Sequence, residues 1–266
     1  MKDIRLVATD LDRTLVTSSG GLPPDLDSYI SRLTDAGIVF VPASGRPRAT
    51  LRAMFPSANR SVGYISDNGA VVGLGNEILD TSTFAPSVHL EMVESVREEG
   101  VGIPALSTLD GSFAVERFRE YEDMLRQFFY DLRLVPDLGD VTATSVKFSV
   151  FYPRRDSRDH YDYINDLWGA DYSVVIAGPD WIDITNRGVN KGHGLKVLGE
   201  KLGIGPDQMM AFGDTDNDFA MIKYAEHSYA VANADERIKE AAAHTTLSND
   251  EHGVIAILDR LLTAVE

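Results

Sequence analysis

The chain has 266 residues, 44% hydrophobic and 9% aromatic, enough material for one large domain or for a core plus a smaller second domain. A formal charge of -16 argues against a nucleic-acid binder, which needs a basic surface to displace counterions from phosphates. No apolar run reaches the roughly 20 residues of a membrane span, the N-terminus lacks signal-peptide character, and zero cysteines exclude disulfides, thiolate zinc sites and a cysteine nucleophile. The expectation is a cytoplasmic protein with neither membrane nor nucleic-acid partners.

In chain order, IRLVATDLD reads as a buried strand that ends in two carboxylates, Asp10 and Asp12. Leu26, Ile30 and Leu33 follow helical spacing up to Gly37, the strand IVFVPAS ends at Ser44-Gly45-Arg46, and Pro47 is placed to open a second helix. The stretch SVGYISDNGAVVGLGNEIL then reads as a strand followed by a hairpin. From about Thr83 the character changes to helices around VHLEMVESVREEG, YEDMLRQFF and YDYINDLW, with strands at FAVERF, TSVKFSVFY, YSVVIAG and WIDIT. This predicts an α+β unit with an antiparallel sheet. Alternation resumes after Gly188, with a helix on Leu195, Leu198 and Leu202 closed by Gly203, strand QMMAFG, helix DFAMIKYA, strand SYAVAN, helix ERIKEAAA and a last amphipathic helix. The fold class is therefore α/β: a doubly wound, mainly parallel Rossmann-like core from residues 1–82 and 187–266, interrupted by an α+β insert at 83–186.

Four stretches carry chemistry, each expected at a strand end or a helix start, where open parallel sheets bind ligands. In Asp10-Leu11-Asp12 the two carboxylates raise each other's pKa unless a cation compensates; the bland alternative is a strand end whose acids make turns. In GDTDND, Asp214, Asp216 and Asp218 match the first ligands of a calcium loop, but Phe219 stands where that loop needs Gly and Ala225 where it needs Glu. One of these acids is expected to cap the following helix, and together with Asp10 the cluster suits a hard divalent cation such as Mg²⁺, which binds beside substrate phosphate. Ser44 and the amides of Gly45 and Arg46 form either an anion site or a plain capped turn. Lys191, at a positive helix start, either faces an anion or is a solvated surface lysine.

Other notable residues read as structural: Trp168, Trp181 and the cluster Phe128-Phe129-Tyr130 as core rather than the lining of a substrate cavity, Met209 and Met210 as core, His193 as helical surface, and the basic stretch PRRDSRDH as a solvated turn.

The ordered set DLDRTL, SGR, NKG and GDTDND, with an insert between the second and third and with SDNGA and VANADERIKEAA in their expected places, resembles the haloacid dehalogenase superfamily. Within it the chain resembles the Cof-type sugar-phosphatase branch with a type IIB cap. The resemblance implies Asp10 as the nucleophile that becomes an aspartyl phosphate and Asp12 as the acid and base, with Thr14 supporting the loop. It further implies phosphate binding by Ser44 and Lys191, with Gly45, Arg46, Asn68 and Asn217 near the phosphate. Mg²⁺ would be held by Asp10, the main-chain carbonyl of Asp12 and Asp214, supported by Asp218. The insert would be the cap. The substrate implied is a small phosphorylated metabolite, the alternatives being a phosphomutase or phosphotransferase with the same intermediate, or a non-catalytic sugar-phosphate sensor; a monomer or homodimer is expected. Arg13 departs from the family, which most often has Gly there.

Overall fold

The structure, a computed structural model, describes residues 3–56 and 62–265; the first residue of the expected SVGYIS strand, Ser61, lies outside them. In chain order the elements are β1 (Leu6–Thr9), α1 (Leu26–Asp35), β2 (Val39–Pro42), α2 (Arg48–Met54), β3 (Gly63–Ser66), β4 (Val71–Leu74) and β5 (Glu77–Thr81). Then come α3 (Pro86–Glu99), β6 (Ile103–Thr108), β7 (Gly111–Val115), α4 (Glu122–Arg126), β8 (Leu132–Val135), β9 (Ser145–Phe151), α5 (Ser157–Trp168), β10 (Tyr172–Ile176) and β11 (Trp181–Asn186). The chain closes with α6 (Lys191–Leu202), β12 (Met209–Gly213), α7 (Phe219–Tyr224), β13 (His227–Ala230), α8 (Glu236–Ala241), β14 (His244–Thr245) and α9 (Gly253–Val265).

Two units share these elements. The first takes the described residues up to Ser44, Phe55–Asp80 and those from Asn190 onward; the second takes Gly45–Met54 and Thr81–Val189. The first unit is built on a sheet of order β14-β13-β12-β1-β2 whose registered pairs all run parallel. Every residue of β1 and β12 is buried, which is why LVAT and MMAFG lack polar alternation: a parallel sheet is covered on both faces. Leu6, Ala8, Val41, Leu195, Leu198, Met209 and Ala211 share one core there, and Met210 is equally buried. The register places Thr9 beside Phe212, so the chain leaves β1 at Asp10 and β12 at Asp214 along one edge. The core sheet and its topology are those of the α/β class expected.

The inserted unit folds around a sheet of order β10-β11-β9-β6-β7-β8. This sheet is mixed where the sequence predicts an antiparallel one, because β7 and β8 run parallel. The intervening residues, which include α4, are long enough to carry the chain back before β8 begins. Two strands, β6 and β8, have no counterpart among the sequence expectations. Pro104 argues against an interior strand, yet β6 lies between β9 and β7 with Pro104 in register with Val150. Alternation along β9 splits its faces: Val146, Phe148 and Val150 point one way, Ser145, Lys147, Ser149 and Phe151 the other. Trp181 is core, with its ring 4.8 Å from that of Phe151 and near those of Phe128 and Phe129. Trp168 is only partly buried and donates to Ser95 Oγ, and Tyr130, expected in the core, is exposed instead.

Candidate active site

Every residue of the acidic cluster belongs to the first unit. Strand β1 ends one residue before Asp10, whose amide still completes the sheet by donating to Phe212 O at 3.0 Å. The chain then turns sharply, with the amides of Thr14, Leu15 and Val16 all pointing at Leu11 O. The bend breaks the extended run that would have put Asp10 and Asp12 on one face. Asp10 is buried and Asp12 partly buried.

Lys191 is the first residue of α6 and is completely buried, so the surface-lysine alternative falls. Asn190 caps the helix by accepting from the amide of His193 at 2.9 Å. The helix is let in by Gly192, where a Cβ would stand 2.6 Å from the Ala220 backbone, closer than real contacts allow. The Lys191 ammonium donates to Asp10 Oδ1 at 2.5 Å and to Asp218 Oδ1 at 2.6 Å. Burial opposes its charge, but the two carboxylates outweigh that and hold it above its ordinary value.

The three acids of GDTDND divide their work. Asp218 does not cap the following helix as expected, since its side chain makes no bond to the amides of α7; instead Oδ2 accepts from the preceding amides of Asp214 at 2.9 Å and Thr215 at 3.2 Å and closes the turn before it. Asp216 points away, pairing with Arg237 at the surface, which disposes of the calcium-loop alternative. Asp214 takes a hydrogen bond from Thr14 Oγ1 on Oδ1 at 3.1 Å. Ligand oxygens of Asp10, Asp214 and Asp218 lie within 4.8 Å of one another.

Two buried oxygens in this cluster, Asp10 Oδ2 and Asp214 Oδ2, have no hydrogen-bond partner. Unpartnered buried carboxylate oxygens are costly, and the acids respond by favouring the neutral form. Burial, then Asp218, push Asp10 up to about 7; burial, Asp10 and Asp218 push Asp214 up to about 9, against the opposing pull of Arg13 and Lys191. Hard oxygen donors, an excess of negative charge and two open oxygens fit a divalent cation such as Mg²⁺. Among the described residues this is the one acidic or histidine group so arranged.

The residues expected around a phosphate divide between the units. Ser44, nearly fully buried at the end of β2, is pinned by donating its amide to Ile65 O and accepting from the Asn68 amide at 3.0 Å. Asp67, Asn68 and Gly69 take successive left-handed conformations, and a Cβ at Gly69 would come 2.2 Å from Asn190 O. Asn217 Nδ2 reaches Asn68 Oδ1 at 3.3 Å, so the first unit draws SDNGA and GDTDND together. Gly45 and Arg46 group with the inserted residues instead. There Gly45 O accepts from Lys147 at 2.6 Å, and Arg46 donates to Gln127 O while its guanidinium lies 5.0 Å from the Phe128 ring centre.

Three arrangements have no counterpart among the sequence expectations: Arg13 beside Asp214 at 3.5 Å, Lys147 paired with Asp183 at 3.0 Å, and Glu99 shared by Tyr152 and His160. For Lys147 a signal was available, since alternation in SVKFSVF puts it on a face with serines. For the others the partners are too far apart in sequence to be matched.

Residues 7–258 match the model of the haloacid dehalogenase-like hydrolases, and the chain belongs to that family. It is 31% identical over 265 residues to a phosphoglycolate phosphatase of Halorubrum lacusprofundi, covering 98% of each chain. It is 24% identical to the 5-amino-6-(5-phospho-D-ribitylamino)uracil phosphatase YbjI of Escherichia coli, covering 97% of this chain and 96% of that one. The solved structure of SMU.1108c from Streptococcus mutans superposes with a TM-score of 0.90 at 28% identity, over 98% of this chain and 99% of that one. A haloacid dehalogenase-like hydrolase from B. subtilis shares the fold with a TM-score of 0.82 at 22% identity, over 98% of this chain and all of that one. The chain is a hydrolase of this family, of the phosphatase kind. Among the described residues no helix is long and apolar enough to cross a membrane.

Proposed function

We propose that the protein hydrolyses sugar phosphates and similar small phosphorylated metabolites through an aspartyl phosphate on Asp10, with residues 83–186 as a cap that selects substrate. The observation that carries this reading is the Asp10 carboxylate, held by Lys191 through Oδ1 and left open at Oδ2, in a cluster with an unfilled demand for positive charge. The phosphoglycolate and ribitylaminouracil phosphatases above support the substrate class, both being named for small phosphate monoesters.

Asp10 attacks phosphorus, the bond to the ester oxygen breaks, and Asp12 gives its proton to the departing alkoxide. Asp12 then takes a proton from water as the water oxygen attacks phosphorus, which frees inorganic phosphate and restores the Asp10 carboxylate. Lys191 holds Asp10 in place and offsets its charge against the incoming phosphate, and Ser44 and Asn217 bind phosphoryl oxygens. Asp10, the Asp12 main-chain carbonyl and Asp214 would hold Mg²⁺, which when bound neutralises the charge gathered at the reacting group. Asp218, with Oδ1 on Lys191 and Oδ2 on two amides, orients this set.

The test is phosphate release from a panel of phosphorylated metabolites, with Mg²⁺ and with EDTA. Release to water that requires Mg²⁺ is expected. Transfer to another hydroxyl would make the enzyme a phosphotransferase, and saturable binding without turnover would make it a sensor.

A further inference from the structure

Arg13 stands at a left-handed position, φ 65°, where a non-glycine residue costs roughly 1 kcal/mol. Glycine would satisfy that backbone freely, so the guanidinium is retained against a conformational penalty. Its placement is built. Asn233 grips the residue at both ends: its side-chain Nδ2 donates to Arg13 O at 2.8 Å, and its carbonyl accepts from Arg13 Nη2 at 3.3 Å. Asn233 is held in turn, with Oδ1 accepting from the Asn249 amide at 3.0 Å. The result sets Arg13 Nε 3.5 Å from Asp214 Oδ2, one of the two buried oxygens of the acidic cluster without a hydrogen bond. The other oxygen of that carboxylate is already taken by Thr14. The Arg13 side chain is half exposed, so solvent can take up its charge when the contact to Asp214 is broken.

We propose that Arg13 is a positioning residue that tunes divalent-cation binding: its fixed charge stands in for part of the missing cation at Asp214 and must be displaced or overcome when Mg²⁺ binds. This rests on Asp214 as a metal ligand. The charge steadies the ion-free site and weakens affinity for the ion, through competition for Asp214 Oδ2 and through repulsion between like charges. A chain with glycine at this position would lack both effects.

The test is isothermal titration calorimetry of the EDTA-stripped full chain with Mg²⁺ alone, on wild type, R13N and R13K. Asparagine tolerates the left-handed backbone and removes the charge, whereas lysine keeps the charge. R13N is expected to bind Mg²⁺ about 3- to 10-fold more tightly, with a larger Mg²⁺-induced rise in Tm, and R13K to stay near wild type. Unchanged or weaker binding by R13N overturns the proposal, as does an equal change in both variants, which would trace the effect to packing. If wild type takes up no Mg²⁺ and Asp214→Asn changes nothing, the metal-site reading itself falls, an outcome distinct from the first two.

Discussion

Each unit buries a lysine, and the two lysines are doing opposite things. Lys147 sits in mid-strand with one carboxylate, Asp183, whose other oxygen accepts from Ser149 Oγ at 2.6 Å, and it spends a further donor on Gly45 O. Lysine and carboxylate there pair directly, and both carboxylate oxygens carry hydrogen bonds. Lys191 sits at a helix start among Asp10, Asp214 and Asp218, with Arg13 the other nearby cation, so three acids face two bases and two oxygens go without a hydrogen bond. A balanced buried pair is complete as it stands, whereas an unbalanced one is waiting for a ligand. Burial of a lysine is common to both and decides nothing; the surplus of acid decides.

The largest test of that contrast is Asp10→Asn. Phosphate release should fall by about 10⁴-fold or more, the scale of losing a nucleophile. The EDTA-treated variant should nevertheless melt higher than wild type, since one surplus charge is gone. A normal rate in this variant would take the nucleophile away from Asp10.

Lys191→Met comes next, with an expected loss of about 10²- to 10³-fold in activity, the scale of removing one preorganised charge contact. Asp10 and Asp218 would then face each other without their common partner, and chemical denaturation in EDTA should show a loss of about 3 kcal/mol. Saturating Mg²⁺ should return part of it, because a cation is what the cluster lacks.

Lys147→Met should also cost about 3 kcal/mol, by leaving the buried Asp183 without its lysine. Here the remedy differs. Adding Asp183→Leu should bring urea stability back to within about 1 kcal/mol of wild type, as buried pairs replaced by apolar side chains often do, while Mg²⁺ should do nothing for the single variant beyond its wild-type effect. Failure of the double variant to recover would show that the two clusters are not so different.

The smallest effect is in the pH profile of the ion-free protein. Asp10 at about 7 and Asp214 at about 9 keep protons that the unfolded chain has already released above its ordinary carboxylate value of 3.8. More protons are bound when folded, so stability must fall as pH rises from about 4 through 7 and on toward 9. Thermal melts in EDTA should show that decline, and melts in Mg²⁺ should flatten it. A Tm in EDTA that rises from pH 5 to 9 would contradict the sign.

Much of the core was legible because its signals are local. The apolar run of β1 ending at Asp10, the Leu195, Leu198 and Leu202 stripe of α6, and Gly203 with its positive φ each identify an element without help from the rest of the chain. The inserted sheet was harder to read. Pro104 in β6 speaks against a strand locally, and only pairing on both sides with β9 and β7 overrides it; the parallel β7 and β8 pairing likewise depends on the path of the chain between them. In the candidate site, the acids and Lys191 could be named from spacing and family pattern, but their division of labour could not.

What the sequence by itself determined is the inventory: strand ends rich in acid, a lysine at a helix start, and a chain interrupted by an insert, because strand and helix periodicities and capping residues act within a few positions. What only the tertiary structure decided is which acid does what. Asp216 was expelled to Arg237, Asp218 was turned onto Lys191 and two amides, and Asp10 and Asp214 were left with open oxygens, since β1 and β12 are neighbours in the sheet although about 200 residues separate their ends. Charge balance depends on distance in space, and sequence spacing does not contain it.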